Sequence, residues 1–294
     1  MRILITADLH YDIPRSQEPV RRLAREVCNS AADAIVLVGD TAGADLDTFA
    51  QCLRLFKPFS GMKLIVPGNH CLWSSHGESS LDRYEHILPE LAWSEGFLYL
   101  DHKPVIIGQV GLVGSIGWYD YSFHDRSLGI PEAFYEAKVA PGAASYFHEH
   151  EQYQKLMEEY GRQLTPRQLG MFTRWMDGKY VKLPMSDREF LQMLTGRLRN
   201  QLADVSTRAE RIIAFLHHLP FRKLVPQGRP DKFAFAAAYM GSQLLGDALM
   251  DCPKVTNVYC GHSHWPGRHK IGHLTVVNIG STYIEKVLEV LDIE

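Results

Sequence analysis

Arg2-Ile3-Leu4-Ile5-Thr6-Ala7-Asp8-Leu9-His10 sets the pattern for the whole chain. A short run rich in β-branched residues reads as a fully buried strand, and the polar residues behind it are delivered to its carboxyl end. The pattern recurs four times. Ile35-Val36-Leu37-Val38 precedes Gly39-Asp40, and Leu64-Ile65-Val66 precedes Gly68-Asn69-His70. Further on, Ile212-Ile213-Ala214-Phe215-Leu216 precedes His217-His218, and Val258-Tyr259-Cys260 precedes Gly261-His262-Ser263-His264. If these strands lie side by side, the five clusters converge on one rim, where open α/β sheets place their sites. In an extended strand end the side-chain period of two puts Asp8 and His10 on one side, and His262 and His264 likewise.

Outward from these clusters, strand and helix alternate. Helical spacing is expected over residues 18–30 (Val20, Leu23, Ala24, Val27), 45–57 (Leu46, Phe49, Ala50, Leu53, Phe56) and 81–91, with short strands at 97–100, 105–107 and 110–113. A β-α-β-α-β opening followed by consecutive strands predicts an α/β layered core with a mixed sheet. Residues 118–206 change texture to helix: 144–160, a helix from Thr165-Pro166 to Trp175, and a capping box at Ser186-Asp187-Arg188-Glu189 ahead of 190–202. Ligand-bearing strands flank this segment, so it reads as a helical insertion in a single domain spanning 1–294. The α/β pattern resumes with strands at 211–216, 257–260 and 274–279, a helix at 242–250, and a last strand at 286–292.

Composition bounds the function. The 294 residues are 46% hydrophobic and 22% charged with a net charge of −3, an ordinary globular balance without general attraction to nucleic acid or anionic membrane. Five cysteines contain no CxxC and leave one unpaired in any disulfide scheme, which points to a reducing, cytoplasmic setting. A cleaved leader would remove Asp8, and no apolar run approaches the ~18 residues a membrane span needs.

Each cluster alone is a weak signal, but together they offer two carboxylates, an amide oxygen and four or five imidazoles, with no thiolate. Such a set suits one or two borderline divalent metals. Two divalent cations less the charges of Asp8 and Asp40 leave a site that attracts an anion, and paired metals suit in-line displacement at phosphorus. A GxxxxGK[ST] phosphate loop is absent from the sequence.

The order Asp-x-His, Gly-Asp, Gly-Asn-His, His, Gly-His-x-His, spanning residues 8–264, resembles the calcineurin-like metallophosphoesterases. The resemblance implies a sandwich of two mixed β-sheets flanked by helices. It implies that Asp8, His10, Asp40 and His264 bind one metal and that Asp40, Asn69, His217 and His262 bind a second, with Asp40 bridging. The ions would be divalent or mixed-valence manganese, iron or zinc, with metal-bound hydroxide attacking the ester. It assigns His70 to catalysis without ligation, and it favours His217 over His218, which faces the opposite way. The chain departs from the family at Cys71, where an acidic residue that can orient the histidine is usual; a thiol is a poor acceptor in its place.

The expected partner is a small phosphorylated substrate, monoester or diester. Trp118, Tyr119, Tyr121, Phe123, His124 and Asp125 open the insertion and are candidates for a pocket wall, while Arg222, Lys223 and Arg229 are candidates for gripping a phosphate. The His148-Glu149-His150 run reads as an exposed helix face. Competing functions are a phosphoprotein phosphatase or nuclease on the same scaffold, the nuclease disfavoured by the acidic balance, and a metal-binding scaffold without turnover.

Overall fold

The computed structural model describes residues 1–74, 77–228 and 230–293. Among them, two mixed sheets face each other. The first contains β1 (Arg2–Ala7), β2 (Ala34–Val38), β3 (Met62–Val66), β4 (Leu98–Tyr99) and, at the end of the chain, β11 (Glu289–Asp292), in the order β11-β1-β2-β3-β4. β1 to β4 run parallel, and β11 closes the edge antiparallel to β1. The second sheet contains β5 (Val105–Ile107), β6 (Val110–Ser115), β7 (Arg211–Leu216), β8 (Val255–Cys260), β9 (Gly267–Ile271) and β10 (Leu274–Asn278) in the order β5-β6-β7-β8-β10-β9. Its four central strands are parallel and both edge strands are antiparallel.

Strand periodicity explains the layers. Ile3, Ile5, Ala7, Val36, Val38, Leu64 and Val66 meet Ile213, Phe215, Tyr259 and Val277 in one buried cluster between the sheets. The alternate residues Leu4, Ile35, Leu37 and Ile65 join Val20, Leu23 and Val27 of helix Pro14–Cys28 and Phe49 and Leu53 of helix Leu46–Arg54. Because each central strand is buried on both faces, its sequence shows no polar alternation.

The insertion lies between β6 and β7, and its long helix Asp187–Ser206 starts on the expected box, with Ser186 and Glu189 capping each other reciprocally. Two helices expected here are shorter. The single helix over 144–160 is two, Pro141–Tyr146 and Glu151–Tyr160, because Phe147 leaves helical geometry and His150 is extended. The His148-Glu149-His150 run therefore lies in the break rather than on a helix face. The helix from Pro166 stops at Leu169, since the backbone beyond it is used elsewhere: Met171 and Thr173 carbonyls accept from Ala143 and Ala140, and Arg174 bridges to Val139. Residues 286–288 precede β11 instead of belonging to it. β9 was not expected at all; its Arg268-His269-Lys270 stretch is polar because it forms a sheet edge. Among the described residues no helix is long and apolar enough to cross a membrane.

Candidate metal centre

The five clusters come together, but not on neighbouring strands of one sheet. Asp8, Asp40 and Asn69-His70 follow β1, β2 and β3, whereas His217 and His262 follow β7 and β8, so the rims of both sheets meet over the site. Extended geometry is not what aims these residues either. Asp8, His10, Asp40, His262 and His264 all have φ between 44° and 69°, in the left-handed region that side-chain-bearing residues rarely occupy. Each chain turns sharply past its strand end, and the turns are locked by Asp8 N–H to Gly39 O (3.1 Å) and His10 N–H to Asp40 O (2.7 Å). Two glycines make room for the donors: a Cβ at Gly68 would strike the Asp40 carboxylate, and one at Gly39 would strike the His217 ring.

Asp40 divides its two oxygens. Oδ2 lies 3.5 Å from His10 Nε2, while Oδ1 lies 3.4 Å from His217 Nε2. On the first side His10 Nε2 and His264 Nε2 are 3.2 Å apart with Asp8 beside them. On the second, His217 Nε2 is 3.1 Å from both His262 Nδ1 and Asn69 Oδ1. His10, Asp40 and His70 form a third grouping that overlaps the first, with His70 Nε2 3.9 Å from Asp40 Oδ2.

The other ring nitrogens decide which way the lone pairs face. His264 Nδ1 lies 2.8 Å from Ser281 O, His262 Nε2 3.1 Å from Tyr239 O, and His217 Nδ1 3.4 Å from Val38 O. A carbonyl can only accept, so these nitrogens carry the hydrogens and the opposite ones face the carboxylates and each other as lone pairs. Donors on one cation at metal–nitrogen distances of about 2.1 Å sit about 3.0–3.4 Å apart, as these do. The donor set therefore fits divalent cations.

Electrostatics agrees. Burial opposes the charge of Asp40, yet positive charge on His217, His70 and His10, when these rings are protonated, outweighs it and holds the carboxyl well below the usual range, the part a cation would play once the rings are neutral. Burial raises Asp8 and holds His10 and His262 well below the ordinary imidazole value, which keeps those rings neutral and able to ligate. His217 is raised: burial works against its charge, but Asp40 and Asp8 more than offset it. In other words, a proton and a cation compete for its lone pair.

His70 sits at the mouth, its side chain 19% exposed. Its backbone N–H donates to Asp40 Oδ1 (3.0 Å), and its ring stacks on Trp73 at 3.8 Å. Among the described residues its Nδ1 has no hydrogen-bond partner. Cys71 is buried and burial pushes its thiol up to about 12, so it is a packing thiol that takes the Gly68 N–H at 3.4 Å rather than an orienting group. His218 turns away, with Nδ1 2.9 Å from Ile116 O and its ring against Trp118.

The substrate-facing candidates are placed differently from one another. Trp118 and Tyr119 are wholly buried, held through Trp118 Nε1–H to Asp187 (2.8 Å) and Tyr119 O–H to Asp177 (3.0 Å), and present no surface for a substrate ring. Tyr121 and Phe123 are buried too. Arg222 lines a cavity of about 600 Å³ with His124, Arg126 and Arg167, but its guanidinium is taken up by the carbonyls of Ser122, Phe123 and His124. Arg229 lies outside the described residues. Sequence reasoning missed Asp177, whose carboxylate lies behind Asn69, and Lys286, whose Nζ donates to the carbonyl of Asp8 at 2.7 Å. Neither carries a local signal, since both reach the site only through the fold.

A family model described as calcineurin-like phosphoesterase matches residues 1–266. No curated protein matches the chain significantly. Among solved structures, the chain is similar to a phosphopantetheinyl hydrolase from Mycobacterium tuberculosis, with TM-score 0.69 and 16% identity over 96% of this chain and 89% of that one. It is also similar to a dimetal phosphatase from Danio rerio, with TM-score 0.52 and 13% identity over 99% and 91% of the two chains. At these identities the likeness is one of fold.

Proposed function

Because the chain belongs to the calcineurin-like phosphoesterase family, we propose that it hydrolyses a small phosphomonoester or phosphodiester using two metal ions, manganese, iron or zinc, held at the strand-end rim. The observation that carries this reading is the division of Asp40, one oxygen toward His10 and the other toward His217. Asp8, His10, Asp40 and His264 would hold one ion, and Asp40, Asn69, His217 and His262 the other. Bound ions supply Lewis acidity toward a phosphate ester and lower the pKa of water.

The chain's own residues supply the rest. Carbonyl partners on the far ring nitrogens of His217, His262 and His264 fix these rings before any ligand arrives. Burial excludes water from the inner donors, while His70, partly exposed and braced by Trp73, would give a proton to the leaving oxygen. The solved neighbours supply substrate classes to try, phosphopantetheinyl compounds among them.

The deciding experiment is a screen of p-nitrophenyl phosphate, bis-p-nitrophenyl phosphate and phosphopantetheinyl substrates after reconstitution with each metal. Hydrolysis of at least one class is expected. Asp40→Ala should lose metal and more than the roughly 100-fold in kcat/KM that a supporting residue can cost. No turnover with any metal, or a metal-free Asp40→Ala that stays active, would sink the proposal.

A further inference from the structure

The insertion sends one buried carboxylate to the back of the metal centre. Asp177, on the short helix Asp177–Tyr180, is 1% exposed and receives four hydrogen bonds. Asn69 Nδ2–H and Trp73 Nε1–H donate to Oδ1 at 2.9 and 2.7 Å, while Tyr119 O–H and Trp175 Nε1–H donate to Oδ2 at 3.0 and 2.7 Å. Three of these donors are bulky rings that fix the carboxylate in place. Trp73 is clamped between His70 (3.8 Å) and Tyr180 (4.9 Å), Trp175 stacks on Tyr239 at 5.0 Å, and Tyr119 is wholly buried.

The fourth donor is the one with consequences. A carboxamide presents either its oxygen or its nitrogen in a given direction, and only the oxygen can ligate a cation. A carboxylate accepts and never donates when ionised, so Asp177 selects the nitrogen of Asn69. The oxygen is then turned the other way, 3.1 Å from His217 Nε2 and among the second group of donors.

We propose that Asp177 is a positioning residue of the metal centre, by which the helical insertion sets the orientation of the Asn69 amide. This rests on the metal assignment above. It makes the insertion part of the site's construction: a segment more than a hundred residues downstream of Asn69 completes the ligand. It also places an orienting carboxylate near the Gly68-Asn69-His70 turn of a chain that carries cysteine at position 71.

The test is a manganese titration of metal-free protein by calorimetry, run on wild type, Asn69→Ala, Asp177→Ala and the double variant, with thermal melts to confirm folding. Asn69→Ala identifies the ion that depends on Asn69. Asp177→Ala should weaken that same ion about 10–100-fold. On the Asn69→Ala background, adding Asp177→Ala should change affinity by less than about threefold, because the residue it acts through is gone. A folded Asp177→Ala that binds manganese like wild type overturns the proposal, and so does an equal loss with and without Asn69. Should Asp177→Ala fail to fold, the same cycle built on Asp177→Leu, which fills the space without offering an acceptor to Asn69, decides by the same two criteria. Wild type that binds no pair of ions, or Asn69→Ala that binds like wild type, would instead overturn the metal assignment beneath it.

Discussion

Two regions of this molecule bury carboxylates in pairs, and they do so with opposite kinds of neighbour. At the strand-end rim, among the described residues, Asp40 accepts the His70 N–H and is otherwise ringed by imidazole nitrogens, while Asp8 accepts the His262 N–H alone, at 2.9 and 3.1 Å. In the insertion, Asp187 takes the Trp118 indole (2.8 Å), the Tyr121 hydroxyl and the Lys138 ammonium (2.5 Å), and Asp177 takes its four donors. The insertion's carboxylates are satisfied by the protein itself. Those of the rim face lone pairs, an arrangement that calls for cations. Burial alone therefore does not mark a functional acid; the supply of hydrogens around it does.

The contrast can be broken experimentally, beginning where the effect is largest. Asp40→Ala should remove activity and metal together, and manganese should raise the melting temperature of wild type but not of this variant. At 100 times the dissociation constant the ion adds about 2.7 kcal/mol to wild type. Asp187→Ala should do the reverse. Breaking its nearly buried pair with Lys138 should cost about 3–5 kcal/mol in chemical denaturation, with manganese affinity unchanged. Loss of metal in Asp187→Ala without loss of stability would erase the distinction.

Asp101 sharpens the comparison at a third place. It is buried with two neutral donors, the Tyr84 hydroxyl (2.9 Å) and the Ile116 N–H (2.5 Å), and burial pushes it up to about 7. Its ordinary value is near 4, so between pH 4 and 7 the folded protein holds a proton that the unfolded chain has released. Stability then declines as pH rises through that window, by up to about 1.4 kcal/mol per unit, and levels off above 7. Asp101→Asn removes this slope, so its melting temperature should gain on wild type from pH 5 to pH 7 and hold the gain at pH 8. A constant difference would show that the two donors suffice to keep Asp101 ionised.

The strands of the core and the donors of the rim were legible because both are local: a β-branched run followed at once by Asp, Asn or His. The arrangement of the insertion was not. The Thr165-Pro166 start has a helical signal, and only tertiary hydrogen bonds of the backbone beyond Leu169 stop that helix short of Trp175. Asp177 and Asp187 looked like ordinary loop and cap residues because Trp73, Asn69 and Trp118, which bury them, lie 104, 108 and 69 residues away. The aromatic start of the insertion suggested a substrate wall; Trp118 and Tyr119 instead spend their polar atoms on those two acids. The edge strand β9 went unread because solvent on its outer side permits Arg268, His269 and Lys270.

Among the described residues seven non-glycine positions have positive φ. Five carry donors of the candidate metal centre, and the other two, Tyr121 and Lys138, are partners of Asp187. Such backbone is disfavoured by roughly 1 kcal/mol or more at each position. The protein thus accepts lower stability where it needs fixed geometry, and the penalty is separable from the donor. Asp40→Gly and Asp40→Ala should be equally inert, yet the glycine variant should melt higher, corresponding to about 1 kcal/mol. The rim is preorganised by a backbone at odds with its own side chains, and an ion arriving there meets a shape it does not have to create.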